Sequence, residues 1–180
     1  MEILIFMLAA CIVICVFLIW YITTYNRFQE YVIRINEAEA NIDSTLRKRF
    51  DLLNKARVVV LSNTSLVEIL LKIPELKSKK LSNFDLDREL YDSLNELIII
   101  KEENPDLLTN EEFVKINVSL NESESEIGAF RKYYNDVITD YNKLCKRFPS
   151  NIVAIFSGYR VKPYFDGKDL FSDDKDNLKL

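Results

Sequence analysis

The chemistry-bearing side chains of this sequence concentrate in residues 41–56, NIDSTLRKRFDLLNKA, where three consecutive bases lie between acids. Such a stretch could bind an anion, a nucleic acid or a protein, or it could be the solvated face of a helix. Its charged residues recur every fourth position, which places them one above another on a helix, and opposite charges in such a row contribute about 0.2–0.5 kcal/mol per pair. We therefore interpret the row as an exposed salt-bridge ladder formed by Glu39, Asp43, Arg47, Asp51 and Lys55.

Arg49 does not belong to that ladder. Counting by sevens from Phe28 through Ile35 and Ile42 reaches Arg49, so the base interrupts an apolar stripe. A charge at such a position is costly unless it is paired. The interruption predicts a polar layer that joins Arg49 to the third long helix and fixes the helix register. The candidate partners are Asn135, Asp136, Asp140 and Asn142, with Asp140 as the pairing to test.

The sequence lacks the residues of most catalytic sites. It contains no histidine, which removes the commonest general base, the commonest zinc ligand and every Ser–His or Cys–His pair. No glycine-rich phosphate loop is present. Cys11, Cys15 and Cys145 have neither the spacing of a metal site nor that of a disulfide framework. The sequence predicts no catalytic activity, no cofactor, no metal and no small-molecule substrate.

The charge distribution bears on the partners. The formal net charge is −4, and acids and bases are interleaved along the chain. A nucleic-acid partner normally requires a clear basic excess, because the phosphate backbone dominates the affinity. We therefore expect no nucleic acid among the partners.

Residues 1–23 predict a transmembrane anchor. Residues 3–22 contain no charge, and twenty helical residues span about 30 Å, the thickness of a bilayer core. Trp20, Tyr21 and Tyr25 lie at the end of the run, where aromatic rings favour the membrane interface. Arg27 and Arg34 follow the run, which favours a cytoplasmic location for the remainder of the chain.

Cys11 ends a Leu-Ala-Ala-Cys sequence that is similar to a lipoprotein cleavage site. Met1-Glu2 provides no basic residue before the apolar run, and that run continues well past Cys11. Both features differ from a secretory signal. We interpret Cys11 as a small apolar residue of the anchor, with lipidation as the alternative.

The remaining sequence predicts long helices, since only three glycines and four prolines interrupt it. The expected elements are a first helix over residues 24–72, continuous with the anchor, a loop from Pro74 to Asn83, and a second helix over 85–103. A third helix opens with a Thr109–Glu112 capping box and repeats an apolar residue every seven positions from 113 to 148. Pro149 ends it, and Ser150 would cap a short helix over 151–156 that Gly158 terminates.

The predicted fold class is therefore all-α, with one N-terminal transmembrane helix, an antiparallel bundle of about three long helices and a short C-terminal helix. The bundle occupies residues 24–165, and the polar residues 166–180 predict a disordered tail. Tyr134 and Tyr141 fall in the heptad row, so we expect them to pack in the core. The apolar residues 152–156 are the candidate interface, either capping the bundle or docking on a membrane or a partner.

Two blocks of residues resemble the signatures of the LemA family. The first block comprises Tyr25, Asn26, Glu37, Ala38, Asn41, Ile42, Asp43, Arg47, Lys48, Arg49, Phe50, Asp51 and Leu52. The second comprises Asn104, Pro105, Asp106, Leu107, Asn110, Glu111, Glu112, Phe113, Arg131, Lys132, Tyr133, Tyr134, Asn135, Asp140, Tyr141, Asn142, Phe148, Pro149, Ser150 and Asn151. Where the family pattern has a proline after the Asp-Leu pair, this chain has Asn54-Lys55.

The resemblance implies a bacterial protein with one N-terminal membrane anchor and a helical bundle, and it implies no enzymatic activity. Some relatives are lipoproteins, whose bundle lies outside the cytoplasm, so either orientation stays open. Thirteen residues of the two blocks are the candidates for structural or interaction roles: Asn41, Asp43, Arg47, Arg49, Asp51, Arg131, Tyr134, Asn135, Asp140, Tyr141, Asn142, Phe148 and Pro149.

The favoured function is a membrane-anchored scaffold that binds a protein partner or a second copy of itself. One alternative is a regulator that contacts anionic lipid through Lys77, Lys79 and Lys80. Another is a carboxylate metal site inside the bundle, which is disfavoured because such sites use Glu and His together.

Overall fold

A computed structural model of the chain describes residues 1–63, 68–76 and 81–165. The helices are α1 (Glu2–Asn63), α2 (Glu68–Leu76), α3 (Asn83–Glu103), a 3-10 helix (Pro105–Thr109), α4 (Glu111–Lys146) and α5 (Ser150–Ser157). These described residues include no strand, so the predicted all-α class is confirmed. The predicted disordered tail, 166–180, and Lys77, Lys79 and Lys80 of the predicted loop lie outside the described residues.

The first helix, α1, is 62 residues long. Its large apolar side chains from Ile3 to Ile19 are 51–79 % exposed. This N-terminal part is long and apolar enough to cross a membrane. The helix continues through Asn54-Lys55, where the family pattern has a proline.

The structure describes the region of the predicted first helix, 24–72, as helical up to Asn63 and again in α2 from Glu68, and residues 64–67 lie outside the described residues. Because α2 continues to Leu76, helical structure extends past the predicted end at residue 72. Pro74 lies inside α2 rather than in a loop. A proline near the end of so short a helix removes only one N–H donor.

The start of α4 also differs from the prediction. The side-chain oxygen of Asn110 accepts from the Phe113 N–H at 3.1 Å, so Asn110 caps the helix. The Thr109 hydroxyl instead donates to the Asp106 carbonyl at 2.7 Å, and the predicted Thr109–Glu112 capping box is wrong. Thr109 is the last residue of the preceding 3-10 helix, which already engages its side chain.

The turn between α4 and α5 corrects a second cap. Pro149, preceded by a cis peptide bond, occupies the N-cap position of α5. Ser150 is buried, and its hydroxyl lies 2.7 Å from the Leu144 carbonyl and 2.8 Å from the Arg147 carbonyl. The hydroxyl therefore contacts the end of α4, and the predicted Ser150 cap of α5 is wrong. Gly158 terminates α5 with a φ of +74°, as predicted. A positive φ favours glycine, because it lacks a Cβ.

The chain divides into two compact units. Unit 1 comprises Met1–Glu37 and Tyr134–Leu180, and unit 2 comprises Ala38–Tyr133. Within unit 2, Lys48 of α1 pairs with Glu126 of α4 at 3.3 Å, and a shallow groove joins Ser62 to Asn110. Since residue number rises along α1 while it falls along α4, the two helices run antiparallel there.

The heptad row of α4 forms the core that its spacing predicts. Phe113, Leu120 and Ile127 are fully buried, and Tyr134 and Tyr141 are 7 % and 2 % exposed. The row ends one step earlier than predicted, since Phe148 is 75 % exposed. The helix stops at Lys146, so the last heptad position no longer lies over a neighbouring helix.

Candidate functional site

Four charged side chains of unit 2 form one cluster, which we call the buried ion cluster: Arg49 of α1, Asp87 of α3, and Glu124 and Arg131 of α4. The Arg49 side chain is fully buried and donates from Nη1 to Asp87 Oδ1 at 3.2 Å. Its Nη2 donates to Glu124, and Arg131 Nη2 donates to the second oxygen of Asp87. The cluster therefore joins three helices through two bases and two acids.

The predicted polar layer exists, but its partners differ from the predicted ones. Asp140 belongs to unit 1, is exposed, and pairs with Lys143 at 3.3 Å, so the Arg49–Asp140 pairing is wrong. The antiparallel register places residue 124 of α4, and not residue 140, beside Arg49. Asp87 was not among the predicted partners. The spacing contains a signal for it, because Asp87 lies three residues before Leu90 and begins the buried row of α3.

In the buried ion cluster, the charges of the bases are balanced by the carboxylates they contact, as in a structural polar layer. Burial lowers the pKa of the Arg49 guanidinium, while Glu124 and Asp87 raise it. Arginine stays protonated in proteins, so the buried charge depends on those two carboxylates. Both oxygens of Asp87 accept from arginines, so this carboxylate bridges the two bases. Within the described part of the chain, no group of three or more acidic or cysteine side chains could hold a metal.

The ladder on α1 is confirmed at one of its steps. Arg47 pairs with Asp43 at 2.8 Å, and this hydrogen bond raises the pKa of the exposed Arg47 guanidinium. Asn41 lies on the same stretch, where its carbonyl accepts from the Thr45 hydroxyl at 3.0 Å. Asp51 is exposed and lines a groove of about 280 Å³ together with Arg47. Exposed pairs of this kind contribute little to stability.

In unit 1, polar side chains of α4 hold the segment that follows α5. Asn142 accepts from the Lys162 N–H and donates to the Lys162 carbonyl, both at 2.8 Å. Asn135 accepts from the Phe165 N–H at 2.9 Å, and the Tyr134 hydroxyl donates to the Pro163 carbonyl at 3.4 Å. The segment is irregular, so its backbone N–H and C=O groups lack partners in a helix or strand. These three candidate side chains provide partners instead.

An aromatic cluster joins the same segment to α1. The Phe28 ring is fully buried and stacks on Tyr159 with the centroids 4.5 Å apart. It also meets Tyr141 edge to face at 6.0 Å, which confirms that Tyr141 packs in the core. Gln29 donates to the Tyr159 hydroxyl at 2.7 Å. Tyr159 was not a predicted core residue, because the sequence marks it only by its place directly after the Gly158 helix stop.

The aromatic cluster predicts a loss of stability in alkali. Burial raises the pKa of Tyr141 and of Tyr159 above the ordinary value of 10.0. A raised pKa in the folded state contributes stability that is complete below the unfolded value and is lost as the pH rises through the folded value. The thermal midpoint in detergent should therefore fall from about pH 10 upward. Tyr141→Phe should flatten that fall, whereas Phe substitution of the exposed Tyr91 should leave it unchanged.

A groove of about 400 Å³ lies beside the end of the apolar part of α1. We call it the unit 1 groove, and it contains the candidate residues Asp140, Phe148 and Pro149. Its other lining residues are Trp20, Thr24, Arg27, Tyr31, Lys143, Leu144, Arg147 and Ser150. Three bases and one acid therefore surround this groove. Phe148, Ile155 and Phe156 are exposed to 75, 76 and 80 %.

The thirteen candidate residues thus do not converge on one site. Arg49 and Arg131 meet in the buried ion cluster, and Asn41, Asp43, Arg47 and Asp51 lie along one stretch of α1. Tyr141 packs against Phe28, and the others hold the C-terminal segment or line the unit 1 groove.

A model described as the LemA family matches residues 38–176 of the chain. A comparison with curated proteins found no match.

Proposed function

The chain belongs to the LemA family, and from this premise we propose that it is a bacterial single-pass membrane protein whose helical bundle binds a protein partner or a second copy. The observation that supports the proposal is α1 itself. One helix provides the apolar side chains from Ile3 to Ile19, which nothing in the described part of the chain covers, and then the buried stripe of the bundle. Exposed apolar surface costs about 25 cal/mol per Å² in water, so a lipid environment is the favourable one.

The proposal includes no catalytic activity. The buried ion cluster neutralises its own charges, and the sequence has no histidine to act as a general base. The alternative, a carboxylate metal site inside the bundle, is tested by metal analysis of the purified protein. A stoichiometric metal would overturn the proposal of a bundle without a metal site.

The anchor and the interaction are tested separately. Carbonate extraction of membranes should leave the wild-type chain in the pellet, whereas Ile14→Asp/Phe17→Asp should release it, because charges at the bilayer centre are costly. Crosslinking in intact membranes should then recover a stoichiometric partner or a homo-oligomer. A membrane-bound chain that crosslinks to nothing would overturn the interaction and leave the anchor in place.

The orientation is a separate prediction. Arg27 and Arg34 favour a cytoplasmic bundle. Cys145 is a poor reporter, because its thiol is half-buried and burial raises its pKa, which slows alkylation. Val118→Cys is better placed, since Val118 is 51 % exposed. A membrane-impermeant maleimide should label this variant only after the cells are permeabilised, with the wild-type chain as the background control. Labelling in intact cells would reverse the orientation.

A further inference from the structure

The short helix α5 has one buried face and one apolar exposed face. Val153 and Ala154 are buried, whereas Ile155 and Phe156 are 76 % and 80 % exposed. Phe148, just before α5, is 75 % exposed. Three large apolar side chains so close together are unfavourable in water and mark an interaction surface. We call these three residues the α5 patch.

Both ends of α5 lie next to the end of the apolar part of α1. At one end, the Ser157 hydroxyl and the Tyr21 hydroxyl are hydrogen-bonded at 3.2 Å. At the other end, Phe148 and Pro149 line the unit 1 groove together with Trp20. The uncharged run of α1 ends at Ile22, and Trp and Tyr favour the membrane interface. The contacts therefore place α5 at the depth of the interface if residues 3–22 cross the bilayer.

The unit 1 groove has an excess of positive charge, which is suited to binding a phosphate group. Arg27, Lys143 and Arg147 line it together with a single acid, Asp140, which pairs with Lys143 at 3.3 Å. The groove therefore carries two more positive than negative side chains. Arginine binds phosphate oxygens through paired N–H groups, and each base near an anionic leaflet contributes about 1 kcal/mol.

We propose that the α5 patch inserts into the membrane interface and that the unit 1 groove binds the phosphate of an anionic phospholipid. This inference rests on the proposed membrane anchor and goes beyond it, since an anchor requires neither a second lipid contact nor a headgroup preference. The bilayer is the occupant that fits, because the patch is continuous with the lipid-facing part of α1 through Trp20 and Tyr21. An interfacial helix with bases beside it is a recognised membrane-binding arrangement.

The insertion is tested with tryptophan as a depth probe in the full-length chain. The sole tryptophan is replaced, Trp20→Phe, and Phe156→Trp is added. The matched control is Ile33→Trp, an exposed position of unit 1 that lies eleven residues beyond Ile22, or roughly 16 Å along α1. The lipids of the nanodiscs carry bromine on their acyl chains, and bromine quenches tryptophan fluorescence on contact. A tryptophan at position 156 that inserts into the interface should lose at least about half of its fluorescence. The control probe should lose little.

The headgroup preference is tested by native mass spectrometry of the detergent-solubilised chain with phosphatidylglycerol and phosphatidylcholine in equal amounts. Arg27→Gln/Arg147→Gln should lower the retained phosphatidylglycerol by at least about fivefold, which corresponds to the contribution of one base. The control Lys115→Gln/Lys132→Gln removes the same two charges from exposed positions of α4 and should leave the retention unchanged.

The possible results separate the two proposals. A chain that does not enter nanodiscs overturns the membrane anchor and, with it, this inference. A chain that enters them with an unquenched probe at 156 overturns the inference alone, and crosslinking between copies at that position would assign the patch to a homo-oligomer. Equal retention of phosphatidylglycerol and phosphatidylcholine overturns the headgroup preference. The same holds if inorganic phosphate displaces the two lipids to the same extent.

Discussion

Replacing Asp87 by asparagine is expected to lower the free energy of unfolding by about 3–5 kcal/mol. The side chain keeps its shape, but Arg49, which is fully buried, loses one of its two carboxylate partners. Arg131 loses the Asp87 carboxylate at the same time. The cluster is left with two bases and one acid, and the excess buried charge cannot regain its hydration without opening the bundle. Urea unfolding in detergent, followed by circular dichroism at the helix band, measures the change.

The control for this prediction is Asp43→Asn, which also removes an acid paired with an arginine. The Asp43–Arg47 pair is exposed, so its loss should cost less than about 1 kcal/mol. A cycle built from Arg49→Met and Asp87→Leu should be non-additive by at least about 0.5 kcal/mol, because each residue is the other's partner. Equal costs for Asp43→Asn and Asp87→Asn would contradict a role for the buried ion cluster in stability.

The second large effect is expected at Phe28. Phe28→Ala should destabilise the chain by about 3–5 kcal/mol, through the lost apolar burial and the cavity that remains. The ring is fully buried and contacts both Tyr141 and Tyr159, so two aromatic pairs are lost with it. Phe28→Leu, which keeps most of the volume, should cost much less.

The effect of Phe28→Ala should also be local. Tyr159 begins the segment that Asn142 and Asn135 hold on α4, so amide hydrogen exchange should accelerate first in residues 159–165. Ile33→Ala is the matched control, since Ile33 is also on α1 but 65 % exposed. Unchanged exchange in residues 159–165 would show that the aromatic stack does not retain the segment.

Much of the fold could be predicted from periodicity. The heptads of α4 and the apolar stripe of α1 identified buried residues correctly, because a helix repeats its faces at a fixed period. Helix ends were harder. The Asn110 cap was not predicted, because Thr109 and Asn110 both have capping side chains. The 3-10 helix engages the Thr109 hydroxyl and leaves Asn110 to cap α4.

In the candidate site, too, the sequence determines some features and the tertiary structure determines others. The sequence alone determined that Arg49 lies on the apolar stripe and needs an acid, because both spacing and the cost of a buried charge are local facts. Only the tertiary structure decided that the acids are Asp87 and Glu124. The antiparallel register of α1 and α4 and the approach of α3 choose the partner, and these depend on how whole helices pack. The stretch NIDSTLRKRFDLLNKA thus revealed a paired arginine by its spacing, whereas the identity of its partners was a property of the assembled bundle.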